Sequence, residues 1–260
     1  MRFLSLWTQL AKFSMKRMAA YKGDFVMRLL GLLPMFLVMI LILSIPYQYV
    51  HDLAGWTKDE VLIVLGLYYM AEGLSWTLFK GGIFGLEDHV SAGTLDGILL
   101  KPVNSIFLLS FFDFDVSRLV DVLIGSVLVV WVIVTGSTGV DVIHVLGGTA
   151  AFLMGQIIVF SLYFSFNCLS FWMTETYLGH VASPIFTVAR FPVDLWGQQG
   201  AKLLYWILPI AFMTTVPAGV LVGKMSFVWV GVSAVVAMMM LLVIRVLWRA
   251  GVRNYAGVGS

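Results

Sequence analysis

Residues 227–248 read FVWVGVSAVVAMMMLLVIRVLW, a run of 22 residues in which Arg245 is the only charged side chain. A helix needs about 20 mostly apolar residues to cross a hydrocarbon core of about 30 Å. Backbone polar groups inside a bilayer must be satisfied within the chain, and a helix does so along its whole length. The run therefore predicts a membrane-spanning helix and an all-α integral membrane protein.

The composition of the whole chain supports this class. Of 260 residues, 60% are hydrophobic and 12% are charged, whereas soluble domains carry about 25% charged residues. This excludes a soluble domain. The net charge of +2 gives no basic face large enough for a nucleic-acid backbone, which excludes nucleic acid as the main partner. The single cysteine, Cys168, permits neither an internal disulfide nor a cysteine-based metal cluster.

Apolar runs predict six membrane crossings within a single domain over residues 1–260. They cover residues 29–49, 61–79, 119–135, 142–172, 177–190 and 227–248. The fifth run is short and contains Pro184. Residues 203–222 are also apolar, but helix-interrupting residues occur in or next to this run: Pro209, Pro217, Gly219 and Gly223. We expect two short helices that enter the membrane and return, within an outer re-entrant region at residues 191–225.

Lysine and arginine are unevenly divided between the two predicted sides. The cytoplasmic side of a membrane protein keeps the excess of these residues. With six spans and the N-terminus inside, 12 of the 16 fall on the inner side, and Lys58, Arg190, Lys202 and Lys224 remain outside. The distribution predicts that both termini are cytoplasmic.

Residues 1–24 have a different pattern, in which bulky apolar residues such as Trp7 recur near helical spacing. Lys12, Lys16 and Arg17 occupy polar positions between them. This pattern is typical of an interfacial helix lying on lipid headgroups at the inner leaflet. The alternative is a basic tail without regular structure.

Catalytic and cofactor motifs are missing from the sequence. The four histidines occupy separate segments, without the i, i+4 pair of a helical zinc site. Residues 218–225 superficially resemble a phosphate loop, but Ala218 replaces the first glycine and Met225 the magnesium-binding Ser or Thr. We therefore expect no cofactor, metal or nucleotide on this chain, and no enzymatic activity of its own.

Charges inside or beside apolar spans are costly, which makes them candidates for function. Glu72 lies in the middle of the second run. One interpretation is a fixed ion pair with Arg190 or Arg118 from another helix, and the other is contact with cargo. Arg190 and Glu175 are further candidates for the substrate path. Arg118 and Asp121 are three residues apart on one helix and are expected to pair.

Small residues recur at four-residue intervals in two of the runs. They are Gly73, Thr77, Gly81 and Gly85, and then Gly147, Ala151 and Gly155. Small side chains let helices approach closely in lipid, so the pattern predicts tight helix packing or a dimer seam.

Residues 84–104, FGLEDHVSAGTLDGILLKPVN, connect the second and third predicted spans on the cytoplasmic side. Carboxylates interspersed with Leu and Ile favour a short amphipathic helix that docks into a groove of another protein. Ser91 is a suitable helix start and Pro102 a suitable stop. The alternative is a surface helix parallel to the membrane.

Three stretches resemble the type 2 permeases of ATP-binding cassette (ABC) transporters, in particular their short single-domain branch. Residues 93–102, GTLDGILLKP, resemble the loop between the second and third spans of that family. The second stretch combines RFP at 190–192 with LPIAF at 208–212 and VPA at 216–218, and the third is WRAGVRNYAGVGS at 248–260. The resemblance extends over nearly the whole chain.

The resemblance implies an N-terminal interfacial helix, six spans, a cytoplasmic coupling helix after the second span, and short outer helices before the sixth. The coupling helix would sit in a cleft of a separate ATPase subunit that binds ATP and Mg. The residues expected at that contact are Glu87, Asp88, Leu95, Asp96, Leu99 and Leu100. Two ATPase copies and a second permease, identical or paralogous, would complete one exporter surrounded by membrane lipid.

These observations together predict the permease subunit of an ATP-driven exporter in a bacterial plasma membrane, moving an amphipathic or lipid-like substrate. An ion-coupled secondary transporter would need several intramembrane charges and usually shows internal repeats, whereas only Glu72 lies mid-span and no repeat is visible. A membrane-embedded enzyme would need His, Asp or Glu clustered at one depth, and the histidines are scattered.

Overall fold

The computed structural model describes residues 22–111, 113–136, 139–173 and 178–255. The predicted interfacial helix over residues 1–24 lies almost entirely outside this part of the chain. The individual residues predicted for function that fall outside it are Trp7, Lys12, Lys16, Arg17 and Glu175.

The described residues are mostly helical. The α-helices are α1 (Lys22–Ser44), α2 (Lys58–Ser75), α3 (Gly81–Ser91), α4 (Asp96–Leu99), α5 (Ser105–Ser110), α6 (Leu119–Thr135), α7 (Val142–Cys168), α8 (Leu178–Ala182), α9 (Gly197–Lys202), α10 (Thr215–Leu221) and α11 (Val228–Asn254). Turns of 3-10 helix lie at Pro46–Gln48, Val116–Arg118, Leu169–Phe171, Ser183–Arg190, Val193–Trp196 and Ile210–Met213, and π-helical turns at Trp76–Lys80 and Leu203–Ile207. A small antiparallel hairpin pairs β1 (Asp52–Leu53) with β2 (Trp56–Thr57).

Five segments of the described chain are long and apolar enough to cross a membrane. They are Leu29–Gln48, Lys58–Ser91, Val116–Thr135, Val142–Phe171 and Val228–Asn254. The predicted all-α membrane class is confirmed. The short fifth run is different: the five-residue α8 is followed directly by the eight-residue 3-10 helix Ser183–Arg190, and Pro184 in its first turn lacks the N–H that would continue α8. Six crossings remain a prediction.

The second span is longer than its apolar run. Its N-terminus is fixed by a capping box: the Glu60 carboxylate accepts the Thr57 N–H at 2.8 Å, and the Thr57 hydroxyl accepts the Glu60 N–H at 3.5 Å. The helix then continues through the π-helical turn to Ser91, for 34 residues in all. At 1.5 Å per residue this is about 51 Å, so the helix extends well beyond a hydrocarbon core of about 30 Å.

Glycines bring α2 and α6 into direct backbone contact. A Cβ atom added at Gly125 would meet the carbonyl oxygen of Gly66, and one added at Gly73 would lie 2.9 Å from the carbonyl oxygen of Arg118. On α7, a Cβ at Gly155 would collide with the carbonyl oxygen of Phe212. At Gly73 and Gly155 the predicted small-residue pattern therefore serves packing within the chain, and Gly66 and Gly125, which the prediction did not include, do the same.

The region at residues 191–225 is a succession of short helices, more numerous than the two expected. Pro217 does not interrupt them, because it falls in the first turn of α10, where a missing N–H costs nothing. The region is fixed by polar contacts: Thr214 Oγ1 donates to the Ala189 carbonyl at 2.7 Å, and the Val193 N–H donates to Thr215 Oγ1 at 3.1 Å. The β-hairpin packs onto it, since the Trp56 indole N–H donates to the Asp194 carboxylate at 2.9 Å.

Candidate functional site

The coupling segment, residues 84–104, is built from the end of one helix, a turn and a very short helix. Its first part, up to Ser91, is the continuation of the second span rather than a separate element. Gly93 then adopts φ +66°, a left-handed conformation that favours glycine, and reverses the chain before α4. Asn104 caps the following helix α5, its side-chain oxygen accepting the Phe107 N–H at 3.1 Å.

Ser91 is not a helix start, contrary to the sequence prediction. It is the last residue of α3, and its hydroxyl donates back to the Glu87 carbonyl at 2.9 Å. The separate helix within the coupling segment is therefore α4, Asp96–Leu99, which is only four residues long. Local pattern does not distinguish the two positions, because Ser is common both as an N-cap and in back-bonded positions within helices.

The six residues predicted at the ATPase contact divide into two groups. Glu87 is 3% exposed and Leu95 is fully buried, so both side chains face the interior of the chain. Asp88 and Asp96 are exposed, Leu99 is half-buried, and Leu100 is 85% exposed. The surface that a partner could contact is therefore formed by Asp88, Asp96, Leu99 and Leu100, and we call it the tip surface.

One of the two buried residues, Leu95, is part of the packing inside the chain. Leu95 belongs to the hydrophobic core, and its carbonyl accepts the Ile98 N–H at 2.8 Å and the Leu99 N–H at 3.0 Å, forming the first turn of α4. A movement of α4 would therefore pull on the core through Leu95. Its burial makes this leucine an anchor of the tip surface rather than part of it.

The charge in the middle of the second span has a partner that the sequence analysis missed. Glu72 forms an ion pair with Lys80, with 2.6 Å between Oε2 and Nζ. The prediction of a pair with Arg190 or Arg118 was wrong. Lys80 is 1% exposed and Glu72 16%. In lipid such a pair neutralises two charges that would each be costly alone.

The π-helical turn explains how residues eight apart can meet. It lies at Trp76–Lys80, between the two charged groups. A π-bulge accommodates one extra residue, so the eight residues from Glu72 to Lys80 cover about the same rotation as seven residues of regular α-helix. Seven residues are close to two full turns of 3.6 residues each. Both side chains therefore lie on the same side of the helix. The Lys80 ammonium also sits over the rings of Tyr163 at 4.2 Å and Trp76 at 5.2 Å.

Arg118 also lies over the Trp76 ring, 4.6 Å from its centroid. Its contact with Asp121, predicted from the sequence, is present at 3.9 Å. A closer carboxylate belongs to Asp115, at 3.3 Å, and the same i, i+3 rule could have found it. Arg118 is 29% exposed and Asp115 40%, so this cluster is accessible.

Arg190 stands apart from these pairs. Its guanidinium lies 5.0 Å from the centre of the Tyr68 ring, on α2. Within the described residues it forms no ion pair, and its Nε atom is buried without a hydrogen-bond partner. Arg190 thus interacts with the Tyr68 side chain by a hydrogen bond and a ring contact, and one of its nitrogens, Nε, stays buried without a hydrogen-bond partner.

No group of three or more His, Cys, Asp or Glu side chains that could hold a metal occurs in the part of the chain that the structure describes. The stretch that resembled a phosphate loop is not a loop at its start, since Ala218 lies inside α10 and is fully buried. The site thus consists of the tip surface at one end of the second span and buried charges along it.

Comparisons with known proteins identify the family to which the chain belongs. No curated protein and no solved structure shows significant similarity to the chain. The family model described as ABC-2 family transporter protein matches residues 6–259, which is nearly the full length. This match, together with the five membrane-spanning segments, shows that the chain belongs to the ABC-2 family of membrane transporter proteins.

Proposed function

We propose that this chain is the permease subunit of an ATP-driven exporter in a bacterial plasma membrane and that a separate ATPase subunit docks on the tip surface. The observation that carries the proposal is Leu100, a large apolar side chain that is 85% exposed at the end of α4, nine residues after the 34-residue helix of the second span ends at Ser91. A leucine in a membrane protein is expected to face lipid or core. One that lies beyond the hydrocarbon on a turn favours a protein partner.

The position of the tip surface along the second span supports this role. Lys58, Asp59 and Glu60 mark one end of the span, and about 20 residues of helix cross the hydrocarbon from there. The remaining 11 residues of α3 extend about 16 Å further. This length carries the tip surface through the headgroup region into water, where a soluble ATPase subunit can reach it.

The chain also has a means of transmitting force from that contact. The second span runs as one helical unit from the outer hairpin to Ser91, and Leu95 ties α4 to the core. ATP binding would close two ATPase copies, draw together the coupling segments of two permeases, identical or paralogous, and shift both between inward-open and outward-open arrangements. ATP and Mg would reside on the ATPase, and both termini of the permease would lie in the cytoplasm.

The substrate path runs past the intramembrane charges in this proposal. Glu72 is already neutralised by Lys80, so Arg190 is the stronger candidate for contact with cargo. Glu175 is assigned to the same path from the sequence alone, and Trp7, Lys12, Lys16 and Arg17 to an interfacial helix. The substrate class that suits a cation beside aromatic side chains is an amphipathic or lipid-like molecule with an acidic group.

The test is co-purification of the tagged chain with an ABC ATPase encoded beside it. Full burial of a leucine is worth about 1.5–3 kcal/mol. Leu100→Ser should therefore weaken the complex about tenfold to a hundredfold and lower vanadate-sensitive ATP hydrolysis in proportion. The matched control is Tyr49→Ser, because Tyr49 is 84% exposed at the opposite end of the membrane. Equal weakening by both variants, or purification without any ATPase, would contradict the proposal.

A further inference from the structure

A groove of about 460 Å³ lies on the outside of the chain between α5, α7 and α11. One wall is aromatic: Phe107 and Phe111 lie 5.1 Å apart, and Phe111 stacks on Phe160 at 5.8 Å between ring centroids. The opposite wall comes from Leu241 and Ile244 of α11. The size is in the range of small-ligand sites, about 300–1,000 Å³, and the lining would suit a hydrocarbon chain.

The groove lies near one face of the membrane. Phe160 comes 18 residues after the start of α7, and Arg245 comes 17 residues after the start of α11. At 1.5 Å per residue both are about 26 Å from the helix starts, close to the end of a 30 Å hydrocarbon core. Asn104, which also lines the groove, is the last residue of the coupling segment. The groove therefore opens toward the leaflet on that side.

Two hydrogen-bond donors lie at this level. Arg245 is exposed and lines the groove, and within the described residues it forms no ion pair. Asn104 uses its side-chain oxygen to cap α5, and its amide nitrogen donates no hydrogen bond in the described part of the chain. An exposed arginine near the end of a membrane helix extends toward the headgroup region, where the lipid phosphates are anions that its guanidinium can bind.

We propose that the groove binds one anionic phospholipid from the leaflet on the side of the coupling segment. An acyl chain lies along the aromatic wall, and the phosphate accepts hydrogen bonds from the Arg245 guanidinium, a fork that suits phosphate oxygens. Basic pockets between membrane helices are suited to acidic headgroups. The lipid would join α11 to α5 directly beside the coupling segment. This inference concerns a resident lipid and does not depend on the ATPase partner.

The experiment uses the full chain, purified in detergent, stripped of lipid and reconstituted into nanodiscs of equal phosphatidylcholine and phosphatidylglycerol. Native mass spectrometry then counts the lipid of each kind that stays bound. We expect the wild type to retain one phosphatidylglycerol in preference to phosphatidylcholine. Arg245→Gln should lower that preference about fivefold, the equivalent of about 1 kcal/mol for one cation near a lipid surface.

Two further variants make the test specific. Arg249→Gln changes an exposed arginine one turn further along α11 that does not line the groove, and it should keep the preference. Leu241→Trp should fill the groove and abolish retention of either lipid while leaving Arg245 in place. The proposal is overturned if the wild type shows no preference for phosphatidylglycerol, if the two arginine variants behave alike, or if Leu241→Trp retains lipid normally.

Discussion

The buried pair of Glu72 and Lys80 allows a sharp prediction, because its two members differ in exposure. Replacing Glu72 by Gln removes the ion-pair partner of an ammonium that is 1% exposed, while the shape of the side chain hardly changes. Breaking a buried pair from one side costs about 3–5 kcal/mol. The rings of Trp76 and Tyr163 remain around the ammonium in the variant, which places the expected loss at the lower end, about 3 kcal/mol.

The double variant Glu72→Gln/Lys80→Met separates this penalty from other effects. Methionine fills nearly the volume of the lysine stem without a charge, so no unpaired ion is left, and the double variant should lose less than Glu72→Gln alone. The measurement is the free energy of unfolding by SDS in mixed micelles. Asp115→Asn is the control for an accessible pair, since Asp115 is 40% exposed, and it should cost about 1 kcal/mol or less.

Either of two results would contradict a buried and interacting pair of Glu72 and Lys80. A loss below about 1 kcal/mol for Glu72→Gln would mean that water reaches Lys80 and hydrates it, in contrast to its 1% exposure. The two charges would also be shown not to interact if the free-energy losses of Glu72→Gln and Lys80→Met, measured singly, add up to the loss of the double variant.

Two further changes test the packing of the fold. Gly125→Ala places a methyl group against the carbonyl oxygen of Gly66, so we expect a loss of about 1–3 kcal/mol in the same unfolding assay. The control is Gly85→Ala, which should be neutral or slightly stabilising because nothing lies within 4 Å of the new Cβ. Equal effects of the two alanines would contradict the close approach of α2 and α6. Trp56→Phe removes the indole N–H that donates to the Asp194 carboxylate and should cost about 2 kcal/mol, while Asp194→Asn, which keeps an acceptor oxygen, should cost less.

The position of the coupling segment can be predicted from the sequence, but the orientation of its side chains cannot. The prediction of a docking segment between the second and third spans rests on the order of polar and apolar residues, and the chain's membership of the ABC-2 family is consistent with it. Which of its residues face outward does not follow. Glu87 and Asp88 are adjacent and carry the same charge, yet one is buried and the other exposed, because α3 rotates by about 100° per residue and packs on one face only.

The groove between α5, α7 and α11 is a second feature that the sequence does not reveal. Arg245 is visible in the sequence as a single charge in the last apolar run, and Phe107 and Phe160 are two of 19 phenylalanines. Their separation along the chain exceeds 50 residues, and local pattern contains no information about which of them share a surface. Only the packing of α5, α7 and α11 brings them together.

The all-α membrane class and the approximate position of most spans can be predicted from the order of residues, because transfer of apolar side chains and backbone into lipid is a sum over contiguous residues and needs no partner. The partner of Glu72, the orientation of the tip surface and the place of Arg245 depend on how the helices pack. These depend on helix phase, such as the extra residue in the π-helical turn, and on contacts between segments far apart in the chain. Pair interactions in a low-dielectric interior act over a few ångströms, so they are set by three-dimensional proximity rather than by composition.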